Sequence, residues 1–152
     1  MADTNISNRA DKIRPMEKED SPAVRDLLAS CFSRPWSLQS LEQMFDREGY
    51  YNLLAVSEGQ IIGYIGMLAV MDEADITNVA VAPPWRRQHL GDRLLAALLE
   101  TAKEHGIMHI YLEVRSSNQA AIGLYKKAGF TPAGIRKAYY QNPAEDAVLM
   151  RW

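Results

Sequence analysis

The sequence predicts an α/β fold of the α+β type, a mixed central sheet of about seven strands flanked by about four helices. Three observations predict it. Between Tyr50 and Pro84, three apolar segments follow one another with only short turns between them, the signature of antiparallel neighbours. From Ile76 to Val114, a strand pattern, a helix pattern and a second strand pattern follow in turn. Such a unit pairs its strands in parallel through a right-handed crossover. Three other stretches carry apolar residues at helical spacing, enough with that helix to cover both faces of a sheet.

Taken in order, residues 1–11 are polar and aperiodic and are expected to form a flexible tail, with 12–152 as a single domain. "KIRPM" is a short strand. "DSPAVRDLLASCF" has Ser21 as N-cap and Pro22 at the first helical position, with Val24, Leu27, Leu28 and Cys31 on one face. Ser37 caps a second short helix that carries Leu38, Leu41, Met44 and Phe45 on one side. "YYNLLAVSE" and "QIIGYIGMLAVM" form a hairpin around Gly59, and "DEADITNVAVAPP" adds a strand ended by Pro83 and Pro84. A helix is expected from about Gln88 to His105, with Leu90, Leu94, Leu98 and Ala102 inward and Gly106 as its stop. "IMHIYLEV" is a strand and "SNQAAIGLYKKAG" a helix ending at Gly129. "FTPAGIRKAYY" and "DAVLMRW" are the closing strands.

The 152 residues are 47% hydrophobic and 24% charged, an ordinary globular composition. A net charge of −2 argues against a general nucleic-acid binder, which needs a basic face. The single cysteine, Cys31, rules out an internal disulfide and reads as structural. "MADTNISNRADK" has no apolar stretch of a signal peptide, and "IIGYIGMLAVM" falls short of the roughly 20 residues a membrane helix needs. A cytoplasmic protein without membrane, nucleic-acid or metal partners is expected. Its oligomeric state is left open.

The chemistry concentrates first in "VAPPWRRQHLGDRLLAALLE". A helix start presents unsatisfied N–H groups and the positive end of the helix dipole, an anion site suited to phosphate. Arg86 and Arg87 suit a pyrophosphate, and Gly91 has no side chain to obstruct a ligand. There is no GxxxxGK[ST] and no GxGxxG after a strand, so two familiar phosphate loops are excluded. The ordinary alternative is a pair of solvated arginines on an exposed turn.

"RRQHLG" resembles the [QR]-x-x-G-x-[GA] loop that cradles the coenzyme A pyrophosphate in the GNAT acetyltransferases, and the element order resembles theirs from Lys12 to Trp152. The resemblance implies the GNAT acyl-CoA N-acyltransferase fold with acetyl-CoA as cosubstrate. It further implies that Val79, Ala80 and Val81 pair through strand backbone with the pantetheine arm. Arg86, Arg87, Gln88, His89, Leu90, Gly91 and Asp92 would form the pyrophosphate loop, with Asn118 near the thioester. His89 stands where the first loop glycine usually sits. If that position demands φ > 0, histidine is a costly substitute.

Moving an acetyl group from a thioester to an amine poses two proton problems. The amine must lose a proton, and the departing thiolate, with a parent pKa of about 8.5, is better released with one supplied. "YLEVRSSNQAAIGLYKKAGF" offers Glu113 near a strand end and Tyr125 on the next helix, able to flank one cleft. Singly, Glu113 reads as a surface carboxylate or a partner of Arg115, and Tyr125 as a packed aromatic. Together with "RKAYY", "EDAVLM" and "FSRPWS", the segment is similar to the RimI-type ribosomal-protein-alanine N-acetyltransferases. That resemblance makes Glu113 the general base and Tyr125 the general acid. It makes the acceptor the N-terminal alanine of a small-subunit ribosomal protein.

"FSRPWS" and "KAYYQNPAED" are the natural walls of an acceptor groove, again by resemblance, with Trp36, Tyr139 and Tyr140 as substrate contacts. Strand alternation would place at least one of the tyrosines in the core. The acidic groups Asp72, Glu73 and Asp75, and Glu145 with Asp146, could meet a basic substrate or simply be solvated turns. An α-amine, with a pKa near 7.7–8.0 against about 10.4 for lysine, is the easier acceptor for a glutamate base. The competing readings are an acetyltransferase for a small amine and a non-catalytic acyl-CoA-binding domain.

Overall fold

In the computed structural model the described residues are 12–152, and the expected tail at 1–11 lies outside them. The elements run β1 (Lys12–Pro15), α1 (Ser21–Cys31), α2 (Leu38–Gln43), β2 (Tyr50–Ser57), β3 (Gln60–Val70) and β4 (Glu73–Val81). They continue with α3 (Leu90–Glu104), β5 (His109–Arg115), α4 (Gln119–Lys127), β6 (Thr131–Tyr140) and β7 (Glu145–Arg151). All the strands join one seven-stranded sheet, ordered β1-β2-β3-β4-β5-β7-β6. The expected order of elements is the observed one.

Local chemistry accounts for most boundaries. The β2–β3 hairpin turns through Glu58 (φ 49°) and Gly59 (φ 78°), the pair of left-handed residues that a tight hairpin twist requires. Ser37 caps α2 by accepting the Ser40 N–H at 3.1 Å. Ser21 does not cap α1. It lies inside the helix, fully buried, and its hydroxyl makes no hydrogen bond among the described residues. The entry turn belongs to Asp20, whose carboxylate accepts from the Glu17 N–H at 2.7 Å and from the Arg14 guanidinium at 2.8 and 2.9 Å. Phe45 is likewise not inward but 38% exposed. A 3-10 turn at Met44–Asp46 takes over after Gln43, and its three residues per turn rotate Phe45 off the α2 face.

Helices α1 and α2 cover one face of the sheet, where Val24, Leu28, Leu41 and Met44 pack on Leu54, Tyr64 and Ala80. Helices α3 and α4 cover the other, with Leu94, Leu95, Leu98 and Ile122 against Ile65, Met67, Ile110 and Leu112. Gly63 permits this second layer, because a Cβ there would stand 2.9 Å from a Leu94 methyl.

One join in the sheet is incomplete. Strands β4 and β5 pair in parallel only at Glu73↔His109, Ala74↔Ile110 and Asp75↔Tyr111. A bulge in the β3–β4 register between Gly66 and Met67 leaves Thr77 without an opposite residue and bends β4. Past it, Ile76–Val81 stay with β3 while β5 stays with β7 as far as Arg115↔Ala147. The two parallel strands part, and their carboxyl ends flank a gap, the usual position for a ligand in an α/β sheet. Asp72, Glu73 and Asp75 lie at the joined end, so this acidic group does not face the mouth of the gap.

Candidate active site

The β4 side of the gap is a strand edge with an alternating backbone. Ala82 donates its N–H to the Ile62 carbonyl at 2.8 Å, which makes Ala80 and Ala82 the residues bonded to β3. The main-chain groups of Val79 and Val81 therefore point into the gap, whereas Ala80 turns its backbone to β3 and its methyl into the α1 layer. The Val81 carbonyl is already engaged by the Arg86 Nε at 3.1 Å and the Cys31 thiol at 3.6 Å. What remains toward the gap is the Val79 N–H and carbonyl and the Val81 N–H, which suits an extended chain carrying amides.

Below the gap, α3 begins at Leu90 rather than Gln88, because Arg87 (φ 62°) and His89 (φ 61°) are left-handed and cannot continue a helix. Helix geometry leaves the N–H groups of Leu90, Gly91 and Asp92 without intrahelical carbonyls. The Leu90 side chain is buried, so only its backbone is presented. Arg86 folds back on Val81 and Cys31, Gln88 donates to the Pro84 carbonyl at 3.1 Å, and Arg87 is exposed. The His89 Nδ1 lies 2.9 Å from the Asp92 carboxylate, which also has the Lys127 Nζ at 3.6 Å. A Cβ on Gly91 would meet Leu124 of α4 at 3.5 Å, an ordinary packing distance, so this position borders the neighbouring helix as well as the helix start.

The positive φ at His89 carries strain that a glycine would not. His89→Gly should raise stability by roughly 0.5–1 kcal/mol, the left-handed penalty less the added freedom of the unfolded chain. A denaturant titration at constant m-value measures it, and a lower midpoint would contradict it.

Alternation in β5 sends Ile110, Leu112 and Val114 into the α3–α4 layer and Glu113 to the opposite face. The Glu113 side chain is 22% exposed and pairs with Arg136 of β6 at 2.9 Å. Arg115, the partner considered from sequence, binds Glu145 instead at 3.2 Å. Tyr125 lies in the α3–α4 layer, 8% exposed, its ring 5.7 Å from that of Phe130. Burial pushes its phenol up to about 12, and the neighbouring Tyr140 adds to the effect. Tyr140 is also pushed up to about 12, by burial first and then by Tyr139 and Glu113. The carboxylate and the phenol belong to opposite faces of the sheet. Asn118 caps α4 by accepting the Ala121 N–H at 3.1 Å, which leaves its NH₂ as a donor.

Two loops border the mouth. The α1–α2 connection starts at Cys31, in contact with Val81, and the β6–β7 hairpin continues from the end of β5 through Arg115↔Ala147. Trp36 stands edge-on to Tyr50 with ring centroids 6.4 Å apart, beside a cavity of about 380 Å³ that Arg47 also lines. Tyr139 is 50% exposed and Tyr140 half-buried, their rings perpendicular at 5.0 Å. Neither enters the core, contrary to simple alternation. A register irregularity between Arg136 and Tyr140, with Ala138 at φ 53°, breaks the period of two.

Glu145 and Asp146 are engaged internally and do not form a loose acidic patch. Asp146 accepts the Ala138 N–H at 2.8 Å. Ser117, by its hydroxyl and its N–H, holds the Glu145 carboxyl down to about 2, and Arg115 and Ser116 add to it. A depressed carboxyl contributes stability that is complete above its ordinary value near 4.5 and is lost as pH falls through about 2. Unfolding curves of the wild type and Glu145→Gln should therefore differ at neutral pH and converge toward pH 2. A gap that stays constant with pH would refute this. Among the described residues no cluster of His, Cys, Asp and Glu could hold a metal ion, and no helix is long and apolar enough to cross a membrane.

Residues 21–130 match the model of the acetyltransferase (GNAT) family. The chain belongs to the GNAT family. This GNAT chain is 36% identical over 140 residues to the [ribosomal protein bS18]-alanine N-acetyltransferase of Escherichia coli (strain K12), covering 91% of the chain and 94% of that protein. It is 42% identical over 139 residues to a Bacillus subtilis (strain 168) protein given the same name provisionally, covering 91% and 92%. The crystal structure of the E. coli ribosomal-protein-S18-alanine N-acetyltransferase superposes with a TM-score of 0.82 over 92% of this chain and 91% of that one. As a GNAT enzyme of this group, the protein is an acetyl-CoA-dependent N-acetyltransferase.

Proposed function

We propose that the protein transfers an acetyl group to the α-amine of a protein N-terminus, and that its acceptor is the N-terminal alanine of a small-subunit ribosomal protein. The carrying observation is the arrangement of Glu113 and Tyr125 on opposite faces of the sheet beside parting strands. The names of the E. coli and B. subtilis relatives support the acceptor.

Acetyl-CoA supplies the activated thioester. Two features of the fold match its shape. The open Val79–Val81 edge can bond the amides of an extended pantetheine arm. The N–H groups from Arg87 through Asp92, with the exposed Arg87 side chain, can receive the diphosphate. Arg86 acts at one remove, by holding the Val81 carbonyl. The NH₂ of Asn118 is available to the thioester end.

Glu113 accepts the proton that the amine must lose, with Arg136 holding the carboxylate in place. Tyr125 faces the sulfur. A phenol at about 12 stays protonated at every working pH. Complete transfer to a thiolate whose parent pKa is about 8.5 is uphill by roughly three powers of ten. Tyr125 therefore works by donating a hydrogen bond to the charge growing on sulfur, and a proton it passes there is replaced from solvent. Trp36, Tyr139 and Tyr140 border the path of the acceptor chain.

Mass spectrometry of acetyl-CoA reactions tests the acceptor. A gain of one acetyl group on Ala-initiated, arginine-containing peptides, and none on N-terminally blocked peptides carrying lysine or on polyamines, is the expected result. Acetylation of the small amines in preference to the peptides would replace this reading.

A further inference from the structure

The ladder of the β6–β7 hairpin is interrupted toward its turn. Between the pairs Arg136↔Ala147 and Tyr140↔Glu145 the register breaks, and the residues that carry Tyr139 and Tyr140 need another source of shape. Arg115 provides it from the end of β5. Its Nη1 donates to the Pro143 carbonyl at 3.0 Å and to the Glu145 carboxylate at 3.2 Å, and its Nη2 donates to the Gln141 carbonyl at 3.0 Å. The guanidinium carbon lies 4.5 Å from the centroid of the Tyr140 ring. Glu145 is tied in turn to the β5–α4 turn, through the Ser117 N–H at 2.6 Å and the Ser116 hydroxyl at 3.2 Å.

One planar group thus meets Tyr140, both sides of the turn and an anchored carboxylate. A lysine ammonium, a single point of charge, cannot make these contacts together. We propose that Arg115 is a positioning residue for the acceptor. It holds the hairpin and the Tyr140 ring in the shape that receives the peptide, without touching the reacting atoms. This rests on the reading of the Tyr139–Tyr140 hairpin as a wall of the acceptor groove.

Steady-state kinetics of Arg115→Lys with an Ala-initiated, arginine-containing peptide tests it, alongside Tyr140→Ala and calorimetric titration with coenzyme A. KM for the peptide should rise about tenfold, the scale of one lost charge-assisted contact, with kcat within about threefold and coenzyme A affinity unchanged. An unchanged KM, or a parallel loss of kcat and coenzyme A affinity, overturns the proposal. If Tyr140→Ala raises KM while Arg115→Lys does not, the positioning role fails alone. If Tyr140→Ala leaves KM unchanged, the groove reading fails and takes this proposal with it. Should Arg115→Lys not fold, Glu145→Gln removes the anchor of the same clamp. It should raise KM in the same direction, and an unchanged KM there would be equally fatal.

Discussion

Glutamine in place of Glu113 is expected to lower kcat on a peptide acceptor by roughly 10²–10⁴, the contribution typical of a positioned general base. The substitution keeps the size of the side chain and removes its ability to take a proton. Arg136 loses an ion partner, but its side chain is 53% exposed, so little stability goes with it. Acetyl-CoA affinity should be unchanged, because the Val79–Val81 edge and the amides opening α3 do not depend on position 113. The pH profile separates a base from a mere neighbour. An α-amine titrates near 7.7–8.0, so the variant should recover activity as pH rises past that range and the acceptor arrives already deprotonated. Full activity at neutral pH would remove Glu113 from the mechanism.

Tyr125→Phe should lower kcat by about 10²-fold, the scale of one lost donor to a developing anion. The ring that packs against Phe130 is retained, so the fold should survive and the loss should fall on turnover rather than on stability. Because burial pushes the phenol up to about 12, Tyr125 imposes no alkaline limb on the wild-type activity at moderate pH. The neutral phenol is accommodated below its ordinary value of 10, and its ionisation destabilises the folded protein as pH rises through about 12. Undiminished turnover by the phenylalanine variant would show that water serves the sulfur equally well.

Both variants probe residues that could be singled out before any coordinates, yet their surroundings could not. The strand–helix order was legible because its signals act over a few residues. Gly59 permits the hairpin twist, Ser37 caps its helix, Gly106 and Gly129 end theirs, and the apolar periods of three to four or of two mark each segment. Capping at Ser21 failed because Arg14, from a neighbouring strand, helps Asp20 take over the turn. The position of Glu113 near its strand end could be read from the chain. That its partner is Arg136 and not the closer Arg115 could not, because the choice depends on which strands lie side by side.

By itself, then, the sequence determined the class of fold, the order of its elements, and the loop, carboxylate and phenol on which the chemistry is proposed to rest. Tertiary structure alone decided where the sheet opens, that Ala80 is turned away from that opening, and that Gly91 borders Leu124. It alone decided that Glu145 is tied to Arg115 and the β5–α4 turn, and that Asp146 accepts from Ala138 within the hairpin. The reason is physical. Propensity, capping and periodicity are short-range and survive in a string of residues, whereas a side chain's partner is set by packing between segments far apart along it.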